Sequence, residues 1–142
     1  MNRFFVDTNV LLDWLIPTNA FHTDASEFVR ACFMGRFEGF VSSHSLTDVF
    51  YISRKYFSVE DRRQFLLLII SNFSVITEDS DDFRVVLNSK GFFDLEDGLQ
   101  MNCAEKEDID FIVTEDVKGF RSSSVQAISI ADALKKISEH DI

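Results

Sequence analysis

The sequence predicts an α/β fold: a three-layer α/β/α sandwich around a central, mostly parallel sheet of about five strands. Short apolar runs alternate with helix-patterned segments along the whole chain. The runs are continuous in polarity rather than alternating, as expected of strands covered on both faces. Connections are short, and 1 proline and 5 glycines argue against a long linker or a turn-rich all-β fold.

Residues 3–6 read as the first buried strand. A short helix over 8–16 follows, with Val10, Leu11, Trp14 and Leu15 at helical spacing and Pro17 stopping it. Residues 23–34 form a second helix, with Ala25, Phe28, Val29 and Cys32 on one face. Residues 39–41 are the second strand. Ser43 or Ser45 caps a third helix that runs to about Phe57. Ser58 opens a fourth, with an acid three residues on and Phe65, Leu66, Ile69 and Ile70 along it. Residues 73–77 are the third strand and 79–90 a helix closed by Gly91. Asp94 caps a helix from Leu95 to about Glu107. Residues 111–114 and 125–128 supply the last strands, and 130–138 the terminal helix.

The 142 residues suit one domain, 1–142, with a full core. The 16 phenylalanines read as an aromatic core rather than a stacking platform. A net charge of −10 counts against broad nucleic-acid binding, whose free energy comes largely from phosphate contacts. It leaves room for a small acidic site whose bound cations reverse the local charge. Cys32 and Cys103 show no zinc spacing and read as reduced, half-buried thiols. No apolar stretch is long enough to span a membrane, and Asp7 and Asp13 interrupt the N-terminal one, so the expectation is a cytoplasmic protein without signal peptide.

In parallel sheets, sites form at the carboxyl ends of strands. Asp7 ends the run Phe4, Phe5, Val6, and Asp116 closes the run Phe111, Ile112, Val113. Neighbouring strands would bring these two acids together. Asp97 shares a stripe with Met101 and Ala104, where an acid is costly unless paired or metal-bound. Asp48 sits on the flank of its helix and reads equally as a ligand or a surface acid. Converging carboxylates without a basic partner repel one another, and Mg²⁺ or Mn²⁺ relieves this through oxygen ligands. That pattern points to metal-assisted phosphodiester chemistry. Plainer roles stand beside it. Asp94 fits a helix N-cap better than a ligand, and Glu96 suits the helix dipole. Glu115 reads as a solvated neighbour. His22, His44 and His140 show no metal spacing and read as structural or exposed. Asn9 and Thr114 are placed to orient carboxylates. Lys118 and Arg121 suit either substrate phosphates or a solvated loop.

Three segments in order carry a family resemblance: F-V-D-T-N-V-L-L-D at the start, D-L-E-D-G-L-Q-M-N-C-A from Asp94, and D-F-I-V-T-E-D-V-K-G-F from Asp110. The chain resembles PIN-domain proteins over nearly its whole length. The resemblance implies an α/β/α sandwich and a Mg²⁺- or Mn²⁺-dependent ribonuclease. It also implies the toxin of a toxin–antitoxin pair, with an RNA substrate, an antitoxin protein partner and a homodimer. It implies metal-ligand roles for Asp7, Asp97 and Asp116. Asp48, or Asp94, completes the shell. The family often has glutamate where Asp48 stands, so this shorter side chain reaches a metal through water. Gly98 replaces a usual alanine and loosens its helix by up to about 1 kcal/mol.

Two other classes compete. A catalytically degenerate PIN module would bind RNA or a protein partner without cutting. A phosphatase of the haloacid dehalogenase type needs D-x-D after the first strand, but the sequence here is Asp7-Thr8-Asn9. A receiver-like domain needs an acidic pair near the N-terminus, and none is clear.

Overall fold

The structure is a computed structural model that describes residues 1–91 and 94–140. It is a three-layer α/β/α sandwich. The central sheet has five strands in the order β3-β2-β1-β4-β5: β1 (Arg3–Val6), β2 (Glu38–Ser42), β3 (Phe73–Ile76), β4 (Phe111–Val113) and β5 (Ala127–Ile128). Every pairing is parallel; Phe5 faces Phe40 of β2 on one side and Ile112 of β4 on the other.

The strands are buried because their side chains serve two cores. Phe4 and Val6 of β1 point into one, with Val10 and Leu11 of α1 (Thr8–Leu15), Phe28 and Val29 of α2 (His22–Phe33), Val49 of α3 (Ser43–Ile52) and Ile69 of α4 (Val59–Asn72). Ile130, Ala133 and Ile137 of the C-terminal helix, Ile130–His140, close that layer. Phe5, one residue along β1, turns to the opposite face. There it meets Phe40, Ile76, Ile112, Phe120, and Cys103 and Ala104 of the helix Leu95–Lys106. Counting the helix Ser80–Leu87 as α5, these last two helices are α7 and α6.

The phenylalanines are largely core. Phe28 stacks on Phe37 at 4.6 Å, and Phe4 tilts against Phe37 at 5.1 Å. Gly39 marks a close approach: a Cβ there would collide with the Phe73 ring and Cys32 Sγ. Cys32 and Cys103 are free and fully buried rather than half-buried, and burial pushes both thiols up to about 12.

Helix α3 stops at Ile52 instead of reaching Phe57. Ser53 Oγ donates to Val49 O at 2.6 Å, and residues Ser53–Lys55 tighten into a 3₁₀ turn. The N-cap of α3 is Ser42, while Ser45, buried inside the helix, bonds Thr8 Oγ1 at 2.6 Å and Ser42 Oγ at 2.8 Å. Helix α5 ends at Leu87 rather than near Gly91. Asn88 Nδ2 and Ser89 Oγ donate to the carbonyls of Arg84 and Val85, satisfying acceptors of the last turn. Only Ala127–Ile128 of the expected fifth strand pairs with the sheet. Among the described residues, no helix is long and apolar enough to cross a membrane.

Candidate metal centre

The chain runs from β1 to β2 to β3 in one direction across the sheet, then returns to place β4 on the other side of β1. That reversal opens a crevice beyond the carboxyl ends of β1 and β4, where α/β folds bind ligands. Four strand ends line it in spatial order. Glu78 follows β3, Ser42 ends β2 with His44 in the next turn, Asp7 follows β1, and Thr114 and Asp116 follow β4. Helix α6 brings Asp94, Glu96, Asp97 and Gln100 to the same rim.

Asp7 is only 4% exposed. Gln100 Nε2 donates to its Oδ1 at 3.0 Å and Thr114 Oγ1 to its Oδ2 at 2.8 Å. Burial raises the pKa of this carboxyl. The bonds from Gln100 and Thr114 and the backbone amides of Asn9 and Thr8 oppose that rise. Thr114 Oγ1 also accepts from the Asp116 backbone N–H at 2.9 Å, so one fully buried hydroxyl fixes both strand-end acids. The exposed Asp116 carboxylate accepts from the Gly119 N–H at 3.2 Å in the 3₁₀ turn Val117–Phe120. A Cβ at residue 119 would occupy the place of that carboxylate.

Helix α6 starts at Asp94, whose Oδ1 accepts from the Asp97 N–H at 3.0 Å. The cap and the buried Leu99 and Cys103 hold Asp97 half-buried over the crevice. Its carboxyl is pushed up to about 6, first by burial and then by Asp94, Asp7, Asp116 and Glu96. The charges that raise it are all carboxylates. Asp7, Asp97 and Asp116 therefore converge, as the strand-end argument requires.

On α3, Asp48 is half-buried, one turn after His44. His44, Asp48 and Glu96 bring one ligand atom each to within 4.8 Å of one another. Glu96 is raised by burial, then by Asp48, while Thr8 and His44 lower it. His44 Nδ1 lies 2.9 Å from both oxygens of Glu78.

The residues present suit a divalent cation. The donors at the crevice are carboxylate oxygens, the choice of a hard ion. Asp94, Asp7, Asp116 and Glu96 all raise the Asp97 pKa, a repulsion that a bound cation relieves. Gln100 Oε1, on the carboxamide that holds Asp7, is buried without a hydrogen-bond partner.

The remaining sequence candidates spread around this centre. Asn9 is exposed and lines a groove with Leu12, Asp13 and Tyr51; what it turns to Asp7 is its backbone amide. Lys118 and Arg121 are exposed and, with Asp97, Gly119 and Ser122, line a shallow cavity of about 300 Å³. Glu115 accepts from the Ile130 N–H at 3.0 Å and caps α7 rather than standing free in solvent. Sequence reasoning passed over Gln100 and Glu78, and it read His44 as structural or exposed. The signal for His44 was its i, i+4 spacing from Asp48; Gln100 sits one turn from Asp97 on α6. Nothing near Glu78 in sequence marks it.

A family model described as "PIN domain" matches residues 3–118. Ribonuclease VapC1 of Aquifex aeolicus (strain VF5) is 26% identical over 134 residues, spanning 89% of this chain and 90% of that protein. Among solved structures, a toxin–antitoxin complex from Klebsiella pneumoniae superposes with a TM-score of 0.65 at 20% identity, covering 89% of this chain and 96% of the other. VapBC2 from Rickettsia felis, bound to a DNA fragment from its promoter, gives a TM-score of 0.64 at 17% identity and covers 89% and 98%. At such identities the structural matches speak for the fold.

Proposed function

The chain belongs to the PIN-domain family, and from that premise we propose that it is a metal-dependent endoribonuclease, the toxin of a toxin–antitoxin pair. The observation that carries the reading is the convergence of Asp7, Asp97 and Asp116 at the β1–β4 crevice, where burial and the neighbouring carboxylates raise the Asp97 pKa. The similarity to a VapC ribonuclease over 89% of the chain supports the choice of RNA as substrate.

In this reading Asp7, Asp97 and Asp116 would hold Mg²⁺ or Mn²⁺, with Asp48 or Asp94 completing the set. A divalent ion held there would supply a water of lowered pKa and offset charge building on the phosphate. Gln100 and Thr114 keep the Asp7 carboxylate fixed, so its geometry is in place before substrate arrives. Lys118 and Arg121, beside Asp97, hold the phosphates of the scissile strand. In-line attack at phosphorus expels the 3′-oxygen. The products then carry 5′-phosphate and 3′-hydroxyl ends.

A protein partner and a second copy of the chain both need surface. Helix α4 exposes Val59, Leu67, Leu68 and Ile70, which supports an interface of this kind.

The test is cleavage of a mixed RNA pool with Mg²⁺ or Mn²⁺. Wild type cuts, leaves 5′-phosphate ends and stops on chelation; Asp97→Asn does not cut. Cleavage without metal, or by Asp97→Asn, would contradict the assignment. Metal binding without cleavage would favour the degenerate, partner-binding module.

A further inference from the structure

His44 opens the helix after β2, the strand beside β1, and its ring is oriented from behind. Glu78, whose side chain is 4% exposed, follows β3 and holds Nδ1 at 2.9 Å. A carboxylate on Nδ1 takes that nitrogen's proton as a hydrogen bond and leaves the Nε2 lone pair facing forward. This is the arrangement that orients metal-bound imidazoles. Nε2 faces Glu96 Oε1 at 3.9 Å, and Ser42 Oγ lies 3.5 Å away.

The spacing fits a shared ion better than direct pairing. A separation of 3.9 Å is too long for a hydrogen bond between ring and carboxylate. Ligands bound at roughly 2.0–2.2 Å stand up to about 4.3 Å apart across an ion. The three ligand atoms here already lie within 4.8 Å of one another. Closing that gap needs a few tenths of an ångström, within the reach of side-chain torsions. Gln100, whose buried Oε1 lacks a partner, sits one turn after Glu96 on α6.

We infer that His44 Nε2, Asp48 and Glu96 form a second, nitrogen-containing cation position beside the Asp7–Asp97–Asp116 centre, favouring transition-metal ions such as Mn²⁺ over Mg²⁺. The inference deepens the metal-centre reading and rests on it for the identity of its neighbour. The imidazole sets the preference. Mg²⁺ demands oxygen ligands and keeps its waters, whereas first-row transition ions accept imidazole. Glu78 acts through His44 and is a positioning residue.

Pulsed electron paramagnetic resonance of tag-free protein loaded with Mn²⁺ reads the ligand directly. In wild type, modulation from an imidazole ¹⁴N is expected, and it should persist in excess Mg²⁺. His44→Gln should lose the ¹⁴N signal while keeping Mn²⁺ at the all-oxygen centre, with an unchanged metal-free circular dichroism spectrum. Asp7→Asn/Asp116→Asn should keep the ¹⁴N signal. Glu78→Gln should keep it too, with Mn²⁺ affinity at this position lowered about 10–100-fold. Bound Mn²⁺ without ¹⁴N modulation in wild type would overturn the inference and leave the Asp7 centre standing. So would a ¹⁴N signal that survives in His44→Gln. No Mn²⁺ binding at all would overturn both.

Discussion

Thr114 donates its hydroxyl hydrogen to Asp7 Oδ2 at 2.8 Å, and through the same oxygen it accepts the backbone N–H of Asp116. One buried side chain just after β4 thereby ties the acid after β1 to the acid after β4. Replacing it with isosteric valine removes both bonds and keeps the volume. Thr114→Val should lower Mg²⁺ affinity about 10–100-fold, by analogy with other outer-shell partners of ligating groups. Isothermal titration measures this. Unchanged affinity would mean the two acids are placed without the threonine.

Gly119 is required for space. Its missing Cβ leaves room for the Asp116 carboxylate, which accepts the Gly119 N–H. Gly119→Ala should displace that carboxylate and weaken metal binding while changing the metal-free melting temperature little, since residue 119 lies in a surface turn. Titration of the variant beside wild type checks both halves of the statement.

Asp97 makes the metal-free protein pH-sensitive. Its folded pKa of about 6 lies above the ordinary 3.8, so the folded state binds the proton more tightly than the unfolded chain. Its contribution to stability is fully present below about 3.8 and is lost as pH rises through about 6. Asp97→Asn should flatten that part of the stability–pH curve. Metal must displace the same proton, so calorimetry should detect proton release on Mg²⁺ binding near pH 6 and less at pH 8.

The α5–α6 pair is clamped by Asp82, which accepts from Asn102 Nδ2 at 2.8 Å and Lys106 Nζ at 2.9 Å. The Lys106 hydrogen bond comes first among the causes that hold its carboxyl down at about 2. A depressed pKa stabilises above the ordinary 3.8 and is lost as pH falls through about 2. Asp82→Ala should destabilise the fold by about 1–3 kcal/mol in denaturant unfolding, because it orphans buried Asn102 and a lysine that is partly screened. A loss below 0.5 kcal/mol, roughly the ordinary effect of a surface substitution, would mean the clamp is idle.

Much of this architecture was legible in the chain. Continuous apolar runs marked β1 to β4, because strands buried on both faces carry no polar alternation. The convergence of Asp7, Asp97 and Asp116 was legible because each follows a strand or opens a helix, and the β1–β4 pairing does the rest. The end of α3 was not, since it turns on the Ser53 hydroxyl reaching back to Val49 rather than on any breaker residue. The short pairing of β5 was equally hidden, because two residues of register carry little periodicity. His44 read as structural or exposed because its partners, Glu78 after β3 and Glu96 on α6, are distant in sequence. Gln100 was passed over because its bond to Asp7 spans 93 positions of sequence.

The central claim is that the strand-end acids build a cation site. The direct measurement is thermal unfolding with and without saturating Mg²⁺, on wild type and on Asp7→Asn/Asp116→Asn. At 100 times the dissociation constant, binding adds about 2.7 kcal/mol, worth roughly 5–10 °C for a domain of this size. The account predicts that rise in wild type and none in the double variant. A rise of equal size in both, or in neither, would contradict it.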